Sequence, residues 1–163
     1  KEHPIYARAR ESEALVVLVA LLLLPATVRA GVAAEAVDIC SLVSSEQLAA
    51  VYRKPLYPTP QENGCYWSRE PGAMAYLHIG VLESAQPLRQ YFHPQLSATT
   101  TLEPIIDLGD EGLMSVVEGE VGVVVIRKGD RVLQSAATFL DIMPGSDKQQ
   151  VLWAIYLDVL ARM

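Results

Sequence analysis

Reactive side chains are scarce in this chain of 163 residues: it has two cysteines and three histidines. The cysteines are not arranged as C-x-x-C, which argues against a dithiol redox centre or a zinc knuckle. No two histidines stand at the H-x-x-x-H spacing that places both on one helix face toward a metal. No G-x-S-x-G elbow presents a serine nucleophile, and Ser115 sits mid-strand without flanking glycines. The D-x-D-x-D-G calcium loop is missing as well. Basic residues are in deficit, with 13 Lys+Arg against 19 Asp+Glu and a net charge of −6. That sign disfavours a nucleic-acid surface. No internal repeat is visible, and no cofactor motif, so no cofactor is expected.

What is present begins with an apolar run, Ala14 to Leu24, of 11 residues. At about 1.5 Å per residue it covers roughly half of a ~30 Å hydrocarbon core, too little to span a membrane alone. Arg8 and Arg10 precede it, and Pro25 and small residues follow. These are the parts of a secretory signal peptide. Ala34-Glu35-Ala36 fits the cleavage rule, so residues 1–36 are expected to be a signal peptide and 37–163 a single domain. Val28-Arg29-Ala30 and Val32-Ala33-Ala34 are alternative sites. Membrane attachment is expected only through this segment, if it stays uncleaved. Cys40 has no small-residue lipobox before it. The domain keeps 9 Lys+Arg against 15 Asp+Glu, so the whole negative charge is on it. The expected location is secreted, periplasmic or cell envelope.

An even cysteine count in an exported chain reads as a disulfide. A Cys40–Cys65 bridge closes 25 residues and is worth about 3.5 kcal/mol on the chain-entropy model.

Secondary structure follows from capping and periodicity. Ser44 and Gln47 form a capping box at the start of a helix carrying Leu48, Val51 and Tyr52. Tyr57-Pro58-Thr59-Pro60 reads as a stiff extended loop. Strands are expected at Cys65–Arg69, Ala75–Leu82, Gly112–Glu118, Val121–Arg127 and Arg131–Phe139. A short helix from Ser84 is interrupted at His93-Pro94, and residues 97–101 read as a polar connection. The run Val123-Val124-Val125-Ile126 is apolar on both faces and implies a strand covered on both sides. Ser146 and Gln149 open a final helix with Val151, Leu152, Ile155, Val159 and Leu160 inward, widened by Trp153 and Leu157. The order is α-β-β-α-β-β-β-α. An α+β domain with an antiparallel five-stranded sheet and about three packed helices is expected.

The pattern resembles small exported, often lipid-anchored, bacterial envelope domains of unknown function. The resemblance rests on Cys40, Leu42, Ser44 and Glu46, then Cys65-Tyr66-Trp67. It continues with the Gly109-Asp110 turn, Arg127-Lys128-Gly129 before the last strand, and the C-terminal helix. It implies an envelope location, a Cys40–Cys65 bridge and no known activity.

The candidate binding surface is aromatic: Tyr57, Tyr66, Tyr76 and His78, on the sheet face or in the Pro/Tyr loop. Tyr66 and Trp67 point to opposite faces, with Trp67 expected in the core beside the disulfide. Tyr76, His78 and Gly80 share one face of their strand. Asp107, Asp110, Glu111, Glu118 and Glu120 read as turn residues rather than cation ligands. The expected role is an exported, non-catalytic binding domain whose partner is an envelope protein or small ligand. The alternative is a small hydrolase or metal-dependent enzyme using His78, His93 and nearby acids. A third reading has Arg131–Phe139, with its Gln134/Thr138 face and no proline, as an edge strand that pairs with a partner.

Overall fold

A computed structural model describes residues 37–95, 98–138 and 142–163, apart from the side chains of residues 93–95. The proposed signal segment, residues 1–36, lies outside the described residues. In chain order the elements are α1 (Ile39–Leu42), α2 (Ser45–Tyr52), β1 (Tyr57–Gln61), β2 (Gly64–Ser68) and β3 (Ala75–Glu83). A 3-10 helix (Leu88–Gln95) precedes β4 (Thr100–Pro104), β5 (Glu111–Val117), β6 (Glu120–Lys128), β7 (Arg131–Ala137) and α3 (Asp147–Leu160). The α+β class holds, with one antiparallel sheet in the order β1-β2-β3-β7-β6-β5-β4.

The sheet has seven strands, not five. The two additional strands are the edges, and each was hidden by composition. In β1, Pro58 and Pro60 have no N–H to give, so a proline-rich stretch reads as loop. An edge strand accepts proline where its nitrogen faces away from the neighbour. Both prolines share one parity, pairing with Trp67 and Cys65. In β4, Thr100 and Thr101 belong to the stretch read as a polar connection, yet threonine suits a half-exposed strand. Ile105 continues this ladder by donating its N–H to the Gly112 carbonyl at 2.9 Å. Pro104, one residue earlier, has its nitrogen on the outer side.

The strand Arg131–Ala137 is not an edge. It pairs with β3 on one side and β6 on the other, so its backbone is engaged on both. Its hairpin partner β6 carries the doubly apolar run, and the expected cover on both faces is present. Val124 and Ile126 enter the main core with α2 and α3, while Val123 and Val125 pack under Leu88 and Phe92 of the 3-10 helix. The turn Glu118-Gly119 has positive φ at both residues, 53° and 87°, as a type I′ hairpin requires.

The main core sits between the sheet and the α-helices: Trp67, Leu77, Ile79 and Leu133 meet Leu48, Val51, Leu152, Ile155 and Val159. Cys40 on α1 and Cys65 on β2 are bridged, with Cα atoms 5.2 Å apart. The disulfide thus fastens the start of the domain to the sheet beside Trp67. The α2 capping box is complete: Ser44 Oγ accepts from the Gln47 N–H at 3.1 Å, and Gln47 Oε1 accepts from the Ser44 N–H at 2.9 Å. At α3 the reciprocal bond shifts by one residue. Ser146 Oγ accepts from the Gln149 N–H, but Gln149 Oε1 takes the N–H of Gly145. Trp153 lies at the core rim, whereas Leu157 is half exposed. The 3-10 helix begins at Leu88 and runs through His93-Pro94 to Gln95. Its i→i+3 pattern differs from the short α-helix expected from Ser84.

Two hydroxyl chains tie the helix side to the sheet. Tyr156 Oη donates to Ser135 Oγ at 2.9 Å, and Ser135 Oγ donates to the His78 carbonyl at 2.9 Å. Burial pushes the Tyr156 phenol up to about 12. Tyr52 Oη donates to the Tyr76 carbonyl at 2.8 Å, and burial raises its phenol too. Lys128 Nζ donates to the Leu160 carbonyl, a cation at the negative end of α3.

Candidate functional site

The 3-10 helix packs on β5 and β6, over Val123, Val125 and Val132. Among the described residues no such apolar lid covers the same sheet face at Tyr66 of β2 and His78 of β3. There the antiparallel register sets Tyr66 opposite His78. Directly opposed side chains on one face lie close enough for rings to touch. Their rings stack with centroids 4.3 Å apart and planes 23° from parallel. Tyr66 is 37% exposed, so the stack remains open to solvent. Burial lowers the His78 imidazole below its ordinary value, which keeps the ring neutral at pH 7.

Two glycines shape the floor beside the stack. Gly64 pairs with Gly80. A Cβ on Gly64 would stand 2.4 Å from the Ile79 carbonyl oxygen, so only glycine admits this strand approach. A Cβ on Gly80 would come within 3.2 Å of the His78 ring, which lies across that bare backbone. The result is a shallow concavity of about 240 Å³, lined by Tyr66, His78 and Gly80 with Gln61, Asn63 and Gln134 among others. Gln134 enters from β7, where it pairs with Gly80.

Of the four sequence-nominated surface residues, the structure brings two together. Tyr66 and His78 form the stack. Tyr57 is exposed on β1 but pairs with Ser68, at the opposite end of the strand from Gly64. Tyr76 is displaced by a bulge. The register pairs Trp67 with Leu77 and Ser68 with Ala75, leaving Tyr76 as the extra residue. Its ring consequently packs against the helix-side core. It meets Tyr52 edge-on at 5.9 Å, with the Arg69 guanidinium 4.7 Å above it. Strict alternation therefore holds for His78 and Gly80 and breaks at Tyr76.

Sequence reading missed Gln61 and Asn63, and offered Gln134 only as part of the face of a partner-pairing edge strand. The available signal was weak: one glutamine inside the mostly apolar Val132–Ala137 stretch, and glycines inside strand patterns, which mark close backbone approach.

Other candidates resolve into structural roles. Ser115 is buried at a second bulge, and its Oγ accepts the Val123 N–H at 2.8 Å. Asp110 accepts the Gly129 N–H at 2.7 Å and donates its own N–H to the Arg127 carbonyl at 2.8 Å. This docks the Gly109-Asp110 turn onto the β6–β7 hairpin. Gly109 has φ +70° and faces the Arg127 carbonyl with no room for a Cβ. A larger concavity, about 670 Å³, lies by Glu83, Ser84, Glu111 and Arg127. It is the weaker candidate because Arg127 is already committed to the carbonyls of Ser84 and Gln86 and to Glu111. The His93 side chain lies outside the described residues. Among the described residues no three His, Cys, Asp or Glu side chains form a group able to hold a metal ion.

No family model, curated protein or solved structure matches this chain.

Proposed function

We propose that this chain is an exported, non-catalytic domain that binds a small ligand or a protein partner through the open face of β2, β3 and β7. The observation that carries the reading is the unengaged polar chemistry of that face. The Tyr66 hydroxyl, the His78 imidazole and the side-chain amides of Gln61 and Gln134 take no hydrogen bond among the described residues. The buried hydroxyls of Ser115 and Ser135, by contrast, are satisfied internally, whereas that of Tyr91, in the 3-10 helix, has no partner among the described residues. Donors and acceptors left facing a concavity beside stacked rings are what a binding surface offers. Export is supported by the leader-like segment and by the Cys40–Cys65 disulfide, which belongs with an oxidising compartment.

The test is a screen of the oxidised, isotope-labelled chain by amide chemical-shift mapping. Mixtures of neutral, cationic and anionic small molecules and short peptides serve as probes. The expected hits give saturable shifts clustered on Tyr66, His78, Gly80 and Gln134. Hits that cluster instead at the Arg127 concavity, or a silent face against every class, would count against the proposal.

A further inference from the structure

The lining of the β2–β3–β7 concavity narrows the kind of molecule it fits. Among the described residues Glu62 is the one charged residue that lines it, and no lysine or arginine does. An anionic ligand would meet no counter-charge there and would also be repelled by a chain of net charge −6. A strongly apolar ligand fits poorly, because Gln61, Asn63 and Gln134 supply amides that such a ligand would leave dry and unpaired. A metal ion would find no group of three ligands among the described residues.

A cationic ligand would find a single counter-charge, Glu62, which is exposed and screened by solvent. The amides and the ring together fit best a neutral molecule with many hydroxyls and one flat, weakly apolar face. Planar amides donate and accept at once, as does a neutral imidazole, so each satisfies a hydroxyl in either sense. The Tyr66 ring, stacked on His78 and 37% exposed, offers an electron-rich π surface to C–H groups. The size points the same way. At about 240 Å³ the concavity is smaller than the roughly 300–1,000 Å³ of sites that enclose drug-sized ligands. It takes a single ring and leaves the rest of a longer molecule to run over the open sheet face.

We infer that the notch between Tyr66, His78, Gly80 and Gln134 is a subsite for one neutral pyranose ring of a saccharide. The ring's C–H face lies against the face of Tyr66 that His78 leaves open, while its hydroxyls meet the amides of Gln61 and Gln134. This rests on the open face being the binding surface, as proposed above. Gly80 is the specificity element, since any side chain there would crowd the His78 ring.

The experiment titrates the labelled full chain with glucose, galactose, mannose and N-acetylglucosamine. Sorbitol serves as a ring-less polyol and a capped Ala-Phe-Ala tripeptide as a peptide probe. The expected result is saturable, millimolar binding of at least one pyranose, mapped to Tyr66, His78, Gly80 and Gln134, with no response to sorbitol. Tyr66→Ala and Gln134→Ala should each weaken it about tenfold, whereas Leu157→Ala on the far helix should not. Unchanged amide spectra away from the notch show that each variant is folded. If Tyr66→Ala alone unfolds, Gln134→Ala and Gly80→Val, scored on the same resonances, decide the question. Binding of the peptide but of no pyranose would overturn the saccharide assignment and leave the binding-face reading standing. Pyranose shifts that survive both notch variants, or that map elsewhere, would also overturn it. Silence of the face toward every probe would overturn both.

Discussion

Replacing Tyr156 with phenylalanine and Ser135 with alanine probes how α3 is locked to the centre of the sheet. Tyr156 is 1% exposed and Ser135 is 1% exposed, so neither can turn to water when its partner is lost. Tyr156→Phe removes one hydroxyl and leaves Ser135 still donating to the His78 carbonyl. That is the loss of one neutral hydrogen bond, about 1 kcal/mol. Ser135→Ala is worse. It strands the phenolic hydroxyl in the core and takes a donor from the His78 carbonyl, costing about 2 kcal/mol. In the double variant the stranded hydroxyl no longer exists, so its cost falls below the sum by about 1 kcal/mol. For a folded unit of this size 1 kcal/mol corresponds to about 4 °C in Tm. Calorimetry should therefore show losses of about 4 °C and about 8 °C for the singles, and a double close to Ser135→Ala. Strict additivity would refute the claim that these hydroxyls form one chain.

Three further outcomes follow from the same structure. Cys40→Ser combined with Cys65→Ser should lower stability by about 3.5 kcal/mol, read as the unfolding free energy extrapolated to water in urea, with m raised because the uncrosslinked unfolded chain exposes more surface; an unaltered free energy would deny the bridge a structural role. Gly64→Ala should cost about 1–3 kcal/mol, because its Cβ would collide with the Ile79 carbonyl, and a neutral result by thermal melting would mean β2 and β3 are not held this closely. At alkaline pH the unfolded chain loses its phenol protons from about pH 10, while burial keeps Tyr156 protonated up to about 12. The unfolded state then binds fewer protons, so stability present below pH 10 is lost as pH rises toward 12. Tyr52 adds in the same direction. Tyr156→Phe should flatten that decline in denaturant titrations from pH 9 to 12, and an unchanged slope would refute the assignment.

Much of the fold was legible where local chemistry and burial agree. The capping box at Ser44, the two-sided apolar run in β6 and the Glu118-Gly119 turn all carry their signal within a few residues. The edge strands were not legible, because an edge needs neither a buried face nor a full set of N–H donors. Pro58 and Pro60, which argue against a central strand, are compatible with an edge one. The bulge at Tyr76 is invisible to period-2 reasoning, since one extra residue moves a side chain to the opposite face. Within the candidate site, the Tyr66–His78 pair could be nominated as aromatic residues but not as neighbours, because their contact depends on the β2–β3 register. Gln134 reaches the same place through a non-sequential β3–β7 pairing that no local pattern encodes.

Site-specific photo-crosslinking on the full chain in its native cells tests the central claim most directly. A photoreactive phenylalanine analogue replaces Tyr66 in one strain, and Ile106, an exposed residue remote from the stack in sequence, in another. The account predicts a light-dependent adduct from position 66 that is weakened by Gln134→Ala, with none from position 106. Equal adducts from both positions, or an adduct from 106 alone, would contradict it.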